Sequence, residues 1–229
     1  MEQYLTGRTA LVTGAGWGIG TACALFYAAH GARVVVSDTN GEFVSTIVAG
    51  IKGNNGIATF IEADLSDPWA CEKLVERTIS IYGSIDIACN NSALSAESQP
   101  PVYRSIEGLA SGLDSKLEGL FYCMKFEAAA MHKKGGGVIV NMSCLPGVAG
   151  LSVWSPEISA KFALATSKRH DLIYRARGVR INTVSPDLVR AALLENANLH
   201  EGSKAAIIPH AGRYSKIEQV IQLVLWLSL

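Results

Sequence analysis

The stretch TALVTGAGWGIG, residues 9–20, decides the fold because it changes from a strand pattern to a helix pattern across a glycine turn. The apolar, β-branched run at its start predicts a buried strand. A pyrophosphate can approach a glycine backbone closely, and the following helix N-terminus favours its charge. The segment therefore predicts a dinucleotide-binding turn, whose candidate cofactor-binding residues are Gly14, Gly16, Trp17, Gly18, Ile19 and Gly20.

Outward from this turn, strand-like and helix-like segments alternate along the whole chain, as in a parallel sheet covered on both faces. Strands are predicted at residues 9–13, 33–38, 59–63, 85–89, 138–143 and 180–185. Helices are predicted at residues 18–30, 40–51, 68–82, 106–134, 156–177 and 216–227. With no repeat or linker in 229 residues, a single α/β domain over residues 1–229 is expected.

Composition excludes several classes of protein. Twenty basic and twenty acidic residues balance, so no basic surface for nucleic acid is indicated. No apolar run is long enough to cross a membrane, and no signal peptide is evident, which favours a cytoplasmic protein. Five cysteines without a paired spacing predict small buried side chains in a reducing compartment, and no metal site is expected.

Asp38 closes the second predicted strand about twenty residues after the glycine turn, as a ribose-binding carboxylate does. No basic residue follows it, and Trp17 stands where a basic residue would favour a 2′-phosphate. NAD is therefore the expected cofactor. Asp38 could alternatively cap the helix that follows it.

These motifs and their intervals resemble the short-chain dehydrogenase/reductase family over essentially the whole chain. The resemblance implies a Rossmann-type, doubly wound sheet in three α/β/α layers. It also implies that Asp64 and Leu65 contact adenine, and it matches Asn90-Asn91-Ser92-Ala93 to the family's Asn-Asn-Ala-Gly. Asn90 and Asn91 could equally tie adjacent strands together.

The catalytic residues that the family uses are mostly replaced here. Lys161 of the Tyr-x-x-x-Lys pair remains, but the tyrosine position is Glu157, the serine position is Cys144 and the asparagine position is Lys116. A carboxylate beside an ammonium group is a base at neutral pH rather than a proton donor. Glu157 and Lys161 could also be a helical surface ion pair, and Cys144 either a nucleophile or an inert thiol.

The segment after the sixth strand is also altered. Where the family has Pro-Gly, an aliphatic residue and a threonine, this chain has Pro186, Asp187, Val189 and Ala191. Pro186 and Val189 remain as candidate cofactor-binding residues, the latter through its backbone. The adenosine side of the expected site is thus retained, while the nicotinamide side is changed.

Three interpretations follow from this contrast. The first is non-redox or unusual acid/base chemistry on a small molecule, of isomerase, cyclase or lyase type, with Glu157 as base. The second is a non-catalytic NAD-binding or regulatory protein, and the third is an NAD-dependent oxidoreductase with a substitute proton donor. The sequence favours the first.

The final predicted helix ends in an apolar segment without the seventh strand that the family has. Large apolar side chains also surround the helix predicted at 106–134. Helices that are apolar beyond one stripe need more than one partner. A homo-oligomer, most simply a dimer, is therefore expected.

Overall fold

The computed structural model describes residues 2–91, 105–107, 117–143, 173–186, 189 and 215–229. Within these ranges six parallel strands form one sheet, in the order β3-β2-β1-β4-β5-β6. The strands are β1 (Thr9–Thr13), β2 (Arg33–Asp38), β3 (Ile57–Glu62), β4 (Ile87–Asn90), β5 (Gly137–Met142) and β6 (Val179–Val184). The predicted α/β class with a doubly wound parallel sheet is confirmed.

Helices cover both faces of this sheet and give the predicted three layers. They are α1 (Gly18–Ala29), α2 (Gly41–Gly53), α3 (Pro68–Tyr82), α4 (Gly119–Lys134) and α5 (Ile217–Ser228). One buried cluster joins the sheet to α1, α2 and α5, and a second joins its other face to α3 and α4. In the described part of the chain, no helix is long and apolar enough to span a bilayer.

Strand β1 is the centre of the fold because all five of its residues are buried and both its neighbours are parallel strands. On one side the chain continues through β2 to β3, and on the other it returns through β4 to β5 and β6. Strand order therefore reverses at β1. Ligands of open α/β sheets bind outside the carboxyl ends of the strands at this kind of reversal.

Helix α3 begins as its sequence predicts. The Asp67 carboxylate accepts a hydrogen bond from the Trp69 amide at 2.9 Å, and Pro68 occupies the first turn, where its missing N–H costs nothing. The helix ends at Gly83, which has a φ of 85°. The cap and the turn thus delimit one of the helices that cover the second face.

Most predicted boundaries differ from the structure by one or two residues, among them the start of β4, which is Ile87 rather than residue 85. Strand β3 begins at Ile57 rather than residue 59, because its backbone pairs with β2 from Arg33 onward. The helix predicted at 106–134 is described as a regular helix from Gly119 to Lys134, and residues 108–116 lie outside the described ranges. Most of the helix predicted at 156–177 also lies outside them.

The prediction that the cysteine side chains are buried is confirmed where the structure describes them. Cys23, Cys71, Cys89 and Cys123 are free and buried. Cys144 falls outside the described residues. The described thiols therefore act as small apolar groups in the two cores.

Candidate functional site

A cleft of about 240 Å³ opens at the carboxyl ends of β1, β2, β3 and β4, where strand order reverses. It is bounded by the glycine turn, the ends of β2 and β3, and one side of α4. The lining residues are Thr13, Gly14, Ser37, Asp38, Thr39, Ala63, Asp64, Leu65, Ser66, Asn90, Asn91, Leu120 and Cys123. Six of the predicted cofactor-binding residues therefore line this cleft: Gly14, Asp38, Asp64, Leu65, Asn90 and Asn91.

The glycine turn is built for close backbone contact. Gly14 and Gly18 have φ values of 54° and 49°, a region that disfavours residues with a side chain. A Cβ on Gly14 would lie 1.7 Å from the Asn91 carbonyl oxygen, and one on Gly20 would lie 2.2 Å from the Gly14 oxygen. The turn therefore has no room for side chains where it meets β4 and α1.

Trp17 and Ile19 occupy the same turn with different surroundings. Trp17 is the N-cap residue of α1 and is 38% exposed, so its indole stands at the surface beside the turn. Ile19 is partly buried and packs on the core between the sheet and α1. Trp17 is thus available to a ligand, whereas Ile19 anchors the first helical turn.

Asp38 is directed to the glycine turn by its hydrogen bonds. One carboxylate oxygen accepts from the Gly16 amide at 2.9 Å, and the other accepts from Thr39 and Asn40 amides at 2.8 and 3.2 Å. Asn40, not Asp38, caps helix α2, through a bond from the Glu42 amide. The alternative role of Asp38 as that helix's cap is therefore wrong.

Asp64 and Leu65 form the turn after β3. One Asp64 carboxylate oxygen accepts from the Ser66 amide at 2.9 Å and from its hydroxyl at 2.8 Å. The Leu65 backbone lies so close to α4 that a Cβ on Gly119 would come within 2.5 Å of the Leu65 oxygen. This turn is thus held against α4 at the edge of the cleft.

Asn90 and Asn91 connect the central strands, which is the structural alternative that the sequence left open for them. The Asn91 side-chain amide donates to the Gly14 oxygen at 2.9 Å, and its backbone N–H donates to the Thr13 hydroxyl at 3.2 Å. The Asn90 amide donates to Glu127 at 2.8 Å and to Asn141 at 3.1 Å. Both asparagines therefore shape the cleft wall from inside the protein.

Glu127 is a buried carboxyl group that sequence reasoning missed. It lies on α4 with 0% exposure, and burial raises its pKa to about 7 although the Asn90 hydrogen bond lowers it. Its Oε1 atom has no hydrogen-bond partner among the residues described. The available signal was a glutamate on the side of a helix that otherwise carries Cys123, Met124 and Ala128 toward the core.

Other wall residues were missed because their types are not diagnostic. Thr13 is an ordinary strand residue, and Leu120 and Cys123 read as the apolar side of a helix. The Ser37 hydroxyl is buried in the cleft wall without a hydrogen-bond partner in the described part of the chain. Only the packing of α4 over the ends of the strands brings these groups to one cleft.

The candidate nicotinamide and catalytic residues are described only in part. Val189 is buried and pairs with Ser215 in an isolated parallel bridge, and Pro186 lies two residues after the end of β6. The four candidate catalytic residues lie outside the described ranges: Lys116, Cys144, Glu157 and Lys161. Among the residues that the structure does describe, no group of three acidic, histidine or cysteine side chains is placed to hold a metal.

The described residues fit an adenosine dinucleotide. The glycine turn has only backbone where a pyrophosphate would approach, because a Cβ at Gly14 or Gly20 would overlap the backbone of Asn91 or Gly14. Asp38 lies beside that turn at the position of a ribose-binding carboxylate. Ser37, whose buried hydroxyl has no hydrogen-bond partner among the described residues, is one of the residues that line the same cleft. Gly14, Gly16, Asp38, Asp64 and Asn91 would hold the nucleotide.

Similar proteins match this chain over most of its length. A family model described as short chain dehydrogenase matches residues 8–202. The chain is 34% identical to cyclohexanol dehydrogenase of Acinetobacter sp. (strain SE19), covering 99% of this chain and 90% of that protein. It is 32% identical to 2,5-dichloro-2,5-cyclohexadiene-1,4-diol dehydrogenase of Sphingobium indicum, covering 97% and 90% respectively.

A solved structure agrees with these sequence matches. The crystal structure of a short-chain type dehydrogenase/reductase from Mycobacterium marinum superposes with a TM-score of 0.84. It is 27% identical and covers 98% of this chain and 88% of its own. The fold and the family assignment therefore rest on independent comparisons.

The preferred interpretation from sequence, non-redox chemistry of isomerase, cyclase or lyase type, is wrong. The alternative of a non-catalytic nucleotide-binding protein is wrong as well, since the similar proteins are named dehydrogenases. The error came from treating the loss of a tyrosine proton donor as the loss of redox chemistry. Hydride exchange is a property of the nicotinamide, and a carboxylate can accept the proton that an alcohol releases.

Proposed function

Because the chain belongs to the short-chain dehydrogenase/reductase family, we propose that it oxidises a secondary alcohol on a small carbon ring to a ketone, with NAD as electron acceptor. The observation that carries this proposal is the cleft at the strand reversal, which combines the glycine cradle with Asp38. Both similar proteins named above are dehydrogenases of six-membered ring alcohols. A single domain spanning residues 1–229 would contain the whole site.

The choice of NAD over NADP follows from charge at the ribose end of the cleft. Asp38 is held there by the Gly16, Thr39 and Asn40 amides, and a carboxylate in this place accepts hydrogen bonds from a ribose diol. The same carboxylate repels a 2′-phosphate. Neither Thr39 nor Asn40 supplies a basic group to offset that repulsion.

The proton chemistry is proposed for Glu157 and Lys161. A bound nicotinamide would accept the hydride from the alcohol carbon, and the Glu157 carboxylate would take the hydroxyl proton. Lys161, four residues later, would favour the ionised carboxylate, which suits a base for alcohol oxidation. Cys144 and Lys116 occupy the other two altered positions. In this proposal the chain differs from its family in the acid/base group and not in the class of reaction that it catalyses.

The experiment that tests this proposal measures NADH formation with cyclohexanol and a panel of cyclic and open-chain secondary alcohols. We expect turnover with the wild-type protein, and a loss of about 100-fold or more in kcat for Glu157→Gln, the usual contribution of a positioned base. The amide retains the shape of the carboxylate but cannot accept the proton.

Glu218→Gln is the matched control, since Glu218 lies in the first turn of α5 and undergoes the same change of group. It should retain the wild-type rate. No turnover of any alcohol or of the corresponding ketones by the wild-type protein would refute the oxidoreductase assignment. An active Glu157→Gln variant would remove only that residue from the mechanism.

Cofactor preference provides a second prediction. Replacing Asp38 by asparagine should reduce the preference for NAD over NADP by about tenfold or more, because a charge-assisted hydrogen bond and a repulsion are both lost. Calorimetric titration with each nucleotide measures the change. Glu62→Gln, an exposed position at the end of β3, removes the same charge as a control. Equal affinity of wild type for both nucleotides would contradict the NAD assignment.

A homo-oligomer is also proposed, most simply a dimer that uses α4, the segment after Lys161 in the helix predicted at 156–177, and α5. Helix α5 exposes Leu223 and Trp226, the latter by 68%, and α4 exposes part of Phe121. Exposed aromatic and aliphatic groups of this size favour association. A monomer in light scattering at micromolar concentration would contradict it.

A further inference from the structure

Glu127 lies at the end of a buried chain of hydrogen bonds that reaches the glycine turn. Its Oε2 atom accepts from the Asn90 side-chain amide at 2.8 Å. Asn90 is 1% exposed and lies at the end of β4, directly before Asn91 of the cleft wall. A carboxyl group on α4 is thus linked to a residue that lines the proposed cofactor site.

The acceptors around Asn90 determine which way its amide points. The NH₂ group donates to Glu127 and, at 3.1 Å, to the Asn141 oxygen. Its oxygen is thereby left toward the Thr13 hydroxyl, 3.5 Å away. If Glu127 offered no acceptor, the amide would lose one of the two contacts that select this orientation.

The chain continues from Asn90 to the turn itself. Thr13 donates its hydroxyl proton to Asn90 and accepts the backbone N–H of Asn91 at 3.2 Å. The Asn91 side chain donates to the Gly14 oxygen at 2.9 Å. The first glycine of the cradle is therefore connected to Glu127 through three intervening residues.

The surroundings of Glu127 are neutral and apolar. From α4 itself the Cys123 thiol lies near it, and the pKa of that thiol is raised by its hydrogen bond to Cys71, by burial and by proximity to Glu127. The Cys89 thiol of β4 lies on the opposite face of the sheet, in the core with Cys23 and Tyr27. From β5 the neighbour is Asn141, whose amide donates to the Met124 sulfur at 3.0 Å. From α3 the Cys71 thiol contacts Cys123 at 3.8 Å.

The neutral carboxyl group suits these contacts. A proton on Oε1, the atom without a partner in the described residues, leaves Oε2 free to accept from Asn90. An ionised Glu127 would be a buried charge facing thiols and amides, and none of its contacts named above is a cation. Burial accordingly places its pKa at about 7, so both forms are populated at neutral pH.

We propose that Glu127 is a positioning residue for the nucleotide, which holds the Asn90–Thr13–Asn91–Gly14 chain in place through the hydrogen bond that it accepts from Asn90, and which on losing its proton weakens nucleotide binding. The inference rests on the proposed NAD-dependent function, because it concerns the same cleft. Two effects act together when the proton is lost. The buried charge disfavours the tight packing of α4 on β4, and it repels the pyrophosphate that the glycine turn receives.

Thermodynamic linkage then requires that nucleotide binding also changes the protonation of Glu127. If the nucleotide binds better to the neutral form, binding must cause Glu127 to take up a proton at neutral pH. NAD affinity should therefore fall as pH rises through about 7. Glu127→Gln mimics the neutral form, since its amide oxygen can accept from Asn90 while its NH₂ replaces the protonated oxygen.

The test is calorimetric titration of the full-length protein with NAD at pH 6 and pH 8, without substrate. For wild type we expect the Kd to be about fivefold higher at pH 8, at the low end of coupling between sites, with net proton uptake. Glu127→Gln should bind equally at both pH values, close to the wild-type affinity at pH 6. Glu76→Gln, an exposed carboxylate-to-amide change on α3, should keep the wild-type pH dependence.

The outcomes separate this inference from the proposed function. A wild-type Kd that is equal at both pH values, or a Glu127→Gln variant that keeps the wild-type pH dependence, overturns the role of Glu127 alone. Failure of wild type to bind NAD or NADP at either pH overturns the proposed function and this inference together. A purely structural glutamate would change the unfolding midpoint without changing the pH profile of the Kd.

Discussion

Replacing Gly14 by alanine should destabilise the protein by more than about 4 kcal/mol, the range reserved for severe steric and backbone conflicts. The added Cβ would lie 1.7 Å from the Asn91 carbonyl oxygen, and the φ of 54° disfavours any residue with a side chain. Both clashing groups belong to the backbone one residue beyond the last paired residues of β1 and β4, Thr13 and Asn90, so neither can move far without disturbing that pairing. Urea denaturation followed by circular dichroism measures the loss.

Gly50→Ala is the control for this substitution. Gly50 lies in α2, where an added Cβ would meet no atom within 4 Å. Alanine there should stabilise the protein by about 0.5–1 kcal/mol, because it favours the helix over the unfolded chain. A Gly14→Ala variant as stable as wild type would show that the turn does not approach β4 as closely as described.

Glu127→Gln should make the protein more stable at pH 8 by about 3 kcal/mol, with little difference near pH 4.5. The carboxyl group is fully buried, and its folded pKa of about 7 lies above the ordinary value of 4.5. Between these values the native state holds the proton while the unfolded chain releases it. The free energy of unfolding of wild type therefore falls as pH rises through 7, whereas the amide has no proton to lose.

Denaturant unfolding at intervals from pH 5 to pH 8 measures the difference between the two proteins. Glu76→Gln should differ from wild type by less than about 0.5 kcal/mol throughout, as expected for an exposed position. If the Glu127→Gln and wild-type curves stay parallel over this range, Glu127 titrates as an exposed glutamate does. In that case the buried carboxyl group would be hydrated in solution.

The glycine turn could be predicted from sequence because its requirements are local. Gly14, Gly18 and Gly20 are needed within one turn for reasons of backbone geometry, and Asp38 ends a strand at a regular interval. The structure adds that Asp38 bonds the Gly16 amide, which joins the two features at 2.9 Å. The residue types of the turn and the short separation between the turn and Asp38 were sufficient to predict these two features.

The reaction class shows where reasoning from residue types failed. Glu157 in place of tyrosine indicated that a proton donor was absent, and non-redox chemistry was inferred from that absence. The similarity to cyclohexanol dehydrogenase corrected the inference, because a different acid/base group leaves hydride exchange possible. A substituted catalytic residue identifies the altered step without identifying the reaction.

The sequence by itself determined the order of strands and helices, the glycine turn and the carboxylate that follows it. These depend on apolar periodicity and on backbone conformations that few residue types allow. Only the tertiary structure decided that Glu127 meets Asn90, thirty-seven positions away, and that this contact continues through Thr13 to Gly14. The physical reason is that a buried hydrogen bond is selected by desolvation and by the register of packed strands, neither of which is encoded in a local pattern.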